Sequence, residues 1–372
     1  MRVVSVQMRD FRTYARAEAD LGAGLTVVHG PNGAGKSNLL EAIYFGCTAR
    51  SPRTRNEREL VRFGAEAARV VVRLSDGSSA HELSVGYGLL PGEMRPTKRM
   101  TADGAPVERL LDVEHRPLLS VFLPDRLELL KGSPALRRAH LDQVVAAIWP
   151  LRASVRREYS RVLAQRNALL GRIRAGNAAR ASLSAWNREL AVRAVALRDD
   201  RAAAVSLLTE PFARYAAQLG CSGEAALEYR PRSRAGDEDE FVSELESRLP
   251  GELERGFSSH GPHRDELAIL RDGRELRLYG SQGEQRLALL ALLLAERAVL
   301  ARERRHVPVM LLDDVMSELD SERRELLADE LSTGGQSVIA TTDLGHVPGA
   351  TEATVTRLRV SAGAILQEAL AA

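Results

Sequence analysis

Residues 30–37 of this chain match the phosphate-binding pattern G-x-x-x-x-G-K-[ST]. Residues 25–28 predict a short buried strand before the pattern, and residues 38–45 predict the start of a helix after it. Glycines let backbone N–H groups surround a β-phosphate, and the helix N-terminus adds partial positive charge. The lysine can reach the β/γ oxygens, and the serine hydroxyl can bind Mg²⁺. The candidate nucleotide-binding residues are Gly30, Pro31, Asn32, Gly33, Ala34, Gly35, Lys36 and Ser37.

The acidic pair Asp313 and Asp314 follows the apolar run 309–312 and can also act on a nucleotide. When a buried strand lies beside the phosphate loop, a carboxylate at the end of that strand lies close enough to bind Mg²⁺. Asp313, with Ser37, is therefore predicted to bind the metal. The next carboxylate can orient or deprotonate an attacking water. We therefore predict hydrolysis of a nucleotide, with Asp314 and Lys36 as catalytic residues.

A third segment, residues 279–286, lies just before a long apolar helix predicted over residues 287–300. Its Ser281 and Gly283 offer a hydroxyl and free amides at a helix N-terminus, which form a second phosphate-binding surface or a plain helix cap. This S-x-G segment precedes the acidic pair, and S-E-L-D at residues 317–320 follows the pair. The motifs therefore form one ordered set.

Several elements must position these motifs. Apolar patterns predict strands at residues 3–11, 25–29, 69–74, 81–87, 99–101, 267–270, 274–278, 307–312, 338–340 and 355–360, with an antiparallel group soon after the phosphate loop. Residues 231–240 predict a loop. Between residues 135 and 210, apolar residues at helical intervals predict an antiparallel helical hairpin around a polar break at residues 174–177. Its two apolar seams are Leu151, Val155, Tyr159 and Val162, and Leu183, Trp186, Leu190 and Leu197.

Length and composition limit the protein class. The 372 residues are too many for one simple core and suit an α/β domain with a large insertion. No apolar run approaches eighteen residues and no charged-then-apolar leader begins the chain, so we expect a soluble cytoplasmic protein. The two cysteines, Cys47 and Cys221, and the eight histidines show no spacing typical of a metal site.

Charge is distributed unevenly along the chain. Residues 131–215 contain sixteen Lys/Arg and six Asp/Glu, a net charge of +10, whereas residues 224–254 have a net charge of −6. A basic surface attracts phosphate backbones, although a solvated helix face with local ion pairs would have the same composition. Within the basic stretch, a candidate DNA-binding locus comprises Arg137, Arg138, Arg152, Arg156 and Arg157.

In this order, the phosphate loop, S-x-G, acidic strand and S-E-L-D resemble the ABC-type ATPase heads of the SMC class. Within that class the chain resembles the RecF family of bacterial recombination mediators. Further matching segments lie at residues 8–12, 63–64, 121–125, 131–134, 137–138, 141–142, 165–170 and 261–265. The resemblance covers almost the whole chain. It implies an α/β fold, an ABC-type P-loop ATPase head with a mixed sheet, formed by residues 1–130 and 255–372, and an inserted helical lobe formed by residues 131–254.

The resemblance also implies a mechanism. Such heads dimerise around two molecules of ATP, and Ser281 and Gly283 of one subunit would cap the γ-phosphate held by residues 30–37 of the other. ATP and Mg²⁺ are then the cofactors, and ATP joins the subunits until hydrolysis releases them. The implied partners are a second copy of the chain, double-stranded DNA near single-strand gaps and junctions, and mediator proteins that help load recombinase. The implied role is DNA repair and replication restart, with no membrane partner and with slow, DNA-stimulated ATP hydrolysis.

Two departures from the wider ABC pattern bear on catalysis. Asp314 stands where most heads have Glu, and its shorter side chain holds the carboxylate further from the water, so turnover is expected to be slow. Thr341, Thr342, Asp343 and His346 are alternatives for the residue that senses the γ-phosphate. Asp125 and Gln143 are weak candidates for the glutamine-loop residue.

Two other functions fit part of the motif set. An ATPase subunit of a membrane transporter shares the nucleotide motifs, but the basic hairpin argues against it. A P-loop kinase of a small metabolite does not need the S-x-G segment.

Overall fold

Apolar alternation in the first hundred residues produces an antiparallel sheet in the computed structural model, which describes residues 1–89, 95–123, 127–332 and 334–368. The strands, numbered in chain order, are β1 (Arg2–Phe11), β2 (Tyr14–Asp20), β4 (Ala67–Ser75), β5 (Ala80–Gly88), β6 (Thr97–Ala102) and β7 (Ala105–Pro106), in the spatial order β2-β1-β4-β5-β6-β7. Along β4, Val70, Val72 and Leu74 are buried while Arg69 and Arg73 are exposed. The predicted antiparallel group is confirmed.

A second sheet is mainly parallel, and its three central strands are buried along almost their whole length, as expected for a sheet covered on both faces. In spatial order the strands of this sheet are β15 (Ala364–Gln367), β14 (Thr356–Ser361), β3 (Leu25–His29), β13 (Ser337–Thr341), β12 (Val309–Asp313) and β8 (Leu119–Phe122); only β15 runs antiparallel to its neighbour. Parallel strands end at the same edge. The phosphate loop after β3, the switch candidates at the end of β13 and the acidic pair at β12 therefore meet at one edge.

Helix α1 (Lys36–Thr48) is buried almost all round, which is typical of a helix enclosed by other elements. One core cluster contains α1 residues such as Leu39 and Ile43, residues of the antiparallel sheet such as Val72, and residues of the parallel sheet such as Leu311. Both sheets therefore pack against the helix that begins at Lys36. Helix α9 (Ser321–Ser332) also belongs to this part of the chain.

The chain divides into two compact units. The first unit comprises Met1–Arg126 and Arg304–Ala372, and the second comprises Leu127–Glu303. The second unit contains the helices α2 (Glu128–Lys131), α3 (Pro134–Ile148), α4 (Val155–Arg174), α5 (Leu183–Gln218), α6 (Glu238–Arg255), α7 (Leu276–Tyr279) and most of α8 (Gln282–Arg304). It also holds a small antiparallel sheet of β9 (Ala225–Arg230), β10 (Glu266–Arg271) and β11 (Arg274–Glu275), in the order β11-β10-β9.

The second unit extends beyond the predicted helical lobe of residues 131–254. Strand β9 pairs with β10 along its whole length, from Ala225 opposite Arg271 to Arg230 opposite Glu266. This ladder joins residues 266–271 to the helices, so the compact unit continues to Glu303.

Helices α4 and α5 form the predicted antiparallel hairpin. Their shared core contains Tyr159, Val162, Leu190 and Leu197. Leu151, predicted to lie in the first seam, is instead 97% exposed because it lies in a short turn before α4 begins. Among the described residues, no helix is both long enough and apolar enough to cross a membrane.

Three segment predictions need correction. The strand predicted over residues 274–278 ends at Glu275, and the short helix α7 begins at Leu276. The helix predicted from residue 287 begins at Gln282. The loop predicted over residues 231–240 ends at Asp237, whose side chain accepts a hydrogen bond from the Glu240 N–H and caps α6. Acidic residues in the first turn of α6 favour a helix start there.

Candidate nucleotide-binding site

The phosphate loop joins β3 to α1 through backbone conformations that require glycine. Gly30 has φ 150°, and a Cβ atom there would lie 2.1 Å from the Val360 carbonyl oxygen. Gly35 has φ 120°, and a Cβ atom there would lie 2.9 Å from the Tyr14 hydroxyl. The Tyr14 hydroxyl donates to the Gly35 carbonyl at 2.9 Å, and burial raises the tyrosine pKa, so the group stays a proton donor. The loop is therefore held on both sides.

Lys36 points back along the phosphate loop. Its Nζ donates to the Gly30 carbonyl at 2.8 Å and to the Pro31 carbonyl at 3.0 Å, and the residue is 7% exposed. Burial lowers the pKa of Lys36, and the nearby carboxylates Asp313 and Asp314 oppose this effect. The ammonium group thus sits at the loop with two counter-charges beside it.

Asp313 ends β12 and lies beside Ser37, with which it forms a side-chain hydrogen bond. Burial raises the Asp313 pKa, and so does Asp314, while Ser37, Arg53 and Lys36 lower it. A hydroxyl and a carboxylate oxygen in contact at the phosphate loop are the kind of ligands that Mg²⁺ prefers. The structure therefore brings together the two residues predicted to bind metal.

Asp314 has a left-handed backbone conformation, with φ 51°. Its N–H donates to the Ala340 carbonyl at 2.9 Å, and the Ser317 hydroxyl donates to its carbonyl at 2.8 Å, so both sides of the residue are fixed. Its Oδ1 is buried and has no hydrogen-bond partner among the described residues. Backbone strain of this kind clusters at active sites and ligand clamps, and a buried oxygen without a partner calls for an ion, a ligand or an ordered water.

The switch candidates begin at Thr341, the last residue of β13, which is the strand between β3 and β12. The Thr341 hydroxyl donates to the Asp343 carbonyl at 2.9 Å, and the Asp343 carboxylate accepts from the Gly345 N–H at 2.8 Å. Thr342 and Asp343 are exposed, whereas Thr341 is buried. His346 lies in the following short turn. Thr342 and Asp343 are therefore the two candidates with side chains open to a ligand.

The two glutamine-loop candidates gain no support. Asp125 lies outside the described residues. Gln143 is exposed on α3 in the second unit.

Sequence reasoning missed a charged cluster beside the loop. Glu41 of α1 is fully buried and accepts two hydrogen bonds from Arg12, each at 2.8 Å, and one from the Ser51 hydroxyl at 2.5 Å. Arg53 donates to Glu41 at 3.3 Å and to the Asn38 side chain at 3.0 Å. The signal was a glutamate within the apolar run of α1, since a buried carboxylate needs a cationic partner.

The S-x-G segment begins α8 in the second unit, and both Ser281 and Gly283 are exposed. The Ser281 N–H donates to Glu284 Oε2 at 2.8 Å, and the Glu284 N–H donates to the Ser281 hydroxyl at 3.3 Å. This reciprocal pair is a capping box. A Cβ atom added at Gly283 would have no atom within 4 Å, so packing within the chain does not require glycine there.

Ion pairs occupy much of the predicted basic locus. Arg137 is 2% exposed and makes two hydrogen bonds to Glu266, at 2.7 and 2.9 Å. Arg137 therefore joins α3 to β10. Its prediction as part of the DNA-binding locus is wrong, because it is not a surface residue. Arg138 bonds the Asp265 carbonyl, Arg152 pairs with Asp200, Arg156 pairs with Asp142, and Arg157 is exposed.

Comparisons with known proteins agree with the motifs. A sequence-family model described as an AAA domain matches residues 5–95. The chain is 34% identical to the DNA replication and repair protein RecF of Heliobacterium modesticaldum, with 93% of each chain aligned. It is 36% identical to the protein of the same name from Frankia alni, with 99% of this chain and 100% of the relative aligned.

Solved structures are similar as well. A structure of the recombination mediator protein RecF with ATP in the RecFOR pathway has a TM-score of 0.85 and 26% identity, covering 99% of this chain and 97% of that chain. An Smc head bound to the C-winged helix domain of ScpA has a TM-score of 0.60 and 16% identity, covering 100% of this chain and 98% of that chain, which is a likeness of fold. The predicted fold, an ABC-type P-loop ATPase head with a mixed sheet and an inserted helical lobe, is confirmed.

Proposed function

The chain belongs to the RecF family of DNA replication and repair proteins, and on that premise we propose that it is an ATP-gated, DNA-binding dimer in recombinational repair. It binds ATP with Mg²⁺ and closes as a homodimer on duplex DNA near single-strand gaps. It then helps mediator proteins load recombinase in the cytoplasm, and it hydrolyses ATP slowly. The observation that carries this proposal is the meeting of Lys36, Ser37, Asp313 and Asp314 at one sheet edge.

The residues of this edge suit a nucleoside triphosphate. Lys36 exchanges its bonds to the loop carbonyls for β/γ-phosphate oxygens, and the N-terminus of α1 adds partial positive charge. Ser37 and Asp313 hold Mg²⁺, which neutralises phosphate charge when it is bound. Asp314 offers its unpartnered oxygen to the attacking water. Turnover is slow because the Asp314 side chain is one methylene shorter than the glutamate of most heads.

Exposure of the S-x-G segment supports a site shared between two copies. Ser281 and Gly283 are exposed, and the space beside Gly283 is open. Nothing within the chain would therefore exclude a larger residue at this position. Glycine is also unfavourable in a helix, so its presence suits the close approach of an outside group such as a γ-phosphate. Binding of ATP between two such surfaces converts nucleotide affinity into association.

Exposed arginines of α4 support DNA binding. Arg156, Arg157 and Arg161 lie within the first two turns of the helix and are exposed. Arg156 is paired with Asp142, whereas Arg157 and Arg161 make no ion pair within the described residues. Arginine–phosphate contacts release counterions, so DNA affinity should fall steeply with salt.

Light scattering on the purified chain tests the proposal. Lys36→Ala should remove ATP binding and ATP-dependent dimerisation together, whereas Ser281→Arg should retain ATP binding and block the dimer. An exposed substitution far along α4, Arg172→Ala, is the matched control and should dimerise normally. If Ser281→Arg dimerises as the wild type does, the shared site is wrong.

DNA binding is tested separately by titrating duplex DNA with ATP, with ADP and without nucleotide. We expect the tightest binding with ATP and a steep dependence on salt. Binding to membranes with no binding to DNA would support a transporter ATPase, which the family assignment does not favour.

A further inference from the structure

Two histidines and one aspartate meet in the first unit, and the proposed ATPase function uses none of them. His81 lies on β5, Asp103 lies in the turn between β6 and β7, and His115 follows the short turn Leu110–Asp112. His81 Nδ1 is 2.8 Å from Asp103 Oδ2, and His115 Nε2 is 3.6 Å from the same oxygen. The three candidate ligand atoms all lie within 4.8 Å of one another.

The Asp103 carboxylate is oriented by backbone contacts. Its Oδ1 accepts a hydrogen bond from the Glu82 N–H at 2.8 Å, and its own N–H donates to the Glu82 carbonyl at 2.8 Å. Asp103 and Gly104 both have positive φ, 50° and 78°, as expected for a tight hairpin turn. Oδ2 is therefore fixed in the direction of the two imidazole rings.

Of the two nitrogen atoms that face Asp103, only the one of His81 has a hydrogen-bond partner in the described part of the chain. His81 Nδ1 lies within hydrogen-bonding distance of Asp103 Oδ2, and the Glu82 N–H donates to the other oxygen of that carboxyl group. His115 Nε2 is buried and has no hydrogen-bond partner among the described residues, although it lies just beyond bonding distance of Oδ2. A buried polar atom without a partner calls for a ligand or an ion.

We propose that His81, Asp103 and His115 bind one divalent transition-metal ion, with Zn²⁺ as the ion that suits them best. Imidazole nitrogen favours Zn²⁺ and related ions, whereas Mg²⁺ prefers an all-oxygen environment. Two ligands each about 2.1 Å from a tetrahedral ion are roughly 3.4 Å apart. The observed separations of 2.8 and 3.6 Å lie on either side of that value.

Metal binding requires a rotation of one ring. The two imidazoles are stacked with centroids 4.0 Å apart and planes 12° apart, whereas lone pairs directed at one ion need ring planes that converge on it. The His81 and His115 side chains are 25% and 22% exposed, so solvent on one side leaves room for the rotation and for a water ligand. The bound ion joins β5, the β6–β7 turn and the segment at residue 115, and it stabilises this end of the antiparallel sheet.

The direct test is a titration of the full-length, untagged, chelator-treated protein with Co²⁺, in excess Mg²⁺. The visible absorption of a nitrogen-bound, tetrahedral or five-coordinate Co²⁺ should saturate at one ion per chain, and Zn²⁺ should displace it. His81→Ala and His115→Ala should each weaken binding by about tenfold or more. His306→Ala removes an exposed histidine outside the cluster and should bind as the wild type does.

Three further measurements keep the test decisive. Circular dichroism identifies a histidine variant that has not folded. In that case Asp103→Asn, which keeps the size of the side chain, is used in place of the unfolded variant. Zn²⁺ should raise the unfolding temperature of the wild type but not of the cluster variants. Asp313→Asn should retain the Co²⁺ signal. An absent signal in the wild type, equal affinity in the histidine variants, or loss of the signal in Asp313→Asn alone would each overturn the proposal.

Discussion

Ser281 and Glu284 cap each other at the start of α8: the main-chain N–H of each residue donates to the side chain of the other, at 2.8 and 3.3 Å. Glu284 also pairs with Arg271 and accepts a hydrogen bond from the Ser222 hydroxyl at 3.1 Å, so the cap is tied to β10 and to the segment before β9. The hydroxyl proposed to meet a γ-phosphate therefore already has a structural role. Substitutions at Ser281 must be chosen to separate the two roles.

Ser281→Asp should separate capping from nucleotide contact. Aspartate is a good N-cap, so the free energy of unfolding should stay close to that of the wild type, whereas Ser281→Ala should lose about 1 kcal/mol. The new carboxylate would repel a γ-phosphate, so Ser281→Asp should fail to dimerise with ATP. Urea denaturation and light scattering measure the two effects. An Asp variant that dimerises normally would mean that the cap is the only role of Ser281.

Asp314→Asn should block ATP hydrolysis without blocking ATP binding. The amide cannot take a proton from water, and removal of a general base typically costs about 10²- to 10⁴-fold in rate. Phosphate release measures hydrolysis, and nucleotide filter binding measures affinity. Asp314→Glu, which keeps a carboxylate, is the control and should remain active. Loss of ATP binding in Asp314→Asn would instead identify Asp314 as a metal ligand.

Asp313→Asn should stabilise the metal-free protein and abolish its stabilisation by Mg-ATP. Burial raises the Asp313 pKa, so the folded protein binds a proton at this carboxyl group more tightly than the unfolded chain does. That contribution to stability is fully present below the unfolded pKa, about 4, and is lost as pH rises through the folded pKa. At neutral pH the variant should unfold a few degrees higher, and the difference should vanish in acid. Thermal unfolding at several pH values measures this, and a lower midpoint at neutral pH would contradict it.

Arg166→Met should destabilise the second unit strongly. Arg166 and Glu252 are both fully buried and bond at 2.7 Å, and Arg166 also bonds Asn187 and Ser258, at 2.8 and 2.6 Å. Leaving the glutamate unpaired should cost about 3–5 kcal/mol, and Arg166→Met with Glu252→Leu should recover part of that loss. Arg172→Ala, at an exposed position of the same helix, should change stability by less than about 0.5 kcal/mol. Denaturant titration compares the four proteins, and equal midpoints would refute the role of the pair.

His263 should make the protein less stable in mild acid. Burial lowers the pKa of His263 to about 4, while its ring accepts a hydrogen bond from the Tyr159 hydroxyl at 2.7 Å and bonds the Ser258 carbonyl at 3.1 Å. The unfolded chain binds this proton near pH 6.5, so the contribution is complete above that pH and is lost as pH falls toward 4.

The measurement is the free energy of unfolding of the wild type and of His263→Gln between pH 7 and pH 4. The wild type should lose about 3 kcal/mol more than the variant by pH 4. Parallel pH profiles would show that His263 is already charged in the folded protein.

The local motifs were predictable because a few consecutive residues determine the structure of each motif. The strand before Gly30, the helix from Lys36 and the strand before Asp313 lie where the sequence predicts them. Each depends on neighbouring residues: an apolar run for a buried strand, and glycines for a loop in which a Cβ atom would collide. The resemblance to ABC-type heads added the fold that unites them.

Groups that form across the sheet were not predictable. Arg12, Glu41 and Arg53 meet because both sheets enclose α1. The pairing of β5 with β6 brings Asp103 to His81, and the later segment at residue 115 adds His115. Neither set has a spacing that indicates contact. Charge counts also failed to reveal that Arg137 is buried against Glu266, because composition does not show on which side of a helix a residue lies.

The position of β3 between β14 and β13 has a consequence for biosynthesis. Residues 25–29 find their neighbours more than 300 residues later in the chain. A nascent polypeptide therefore emerges with a phosphate loop that has no acidic strand beside it, while the hairpin of α4 and α5, built from local contacts, can already form. The nucleotide pocket is one of the last parts of the molecule to assemble, so a truncated product would contain the loop without the pocket.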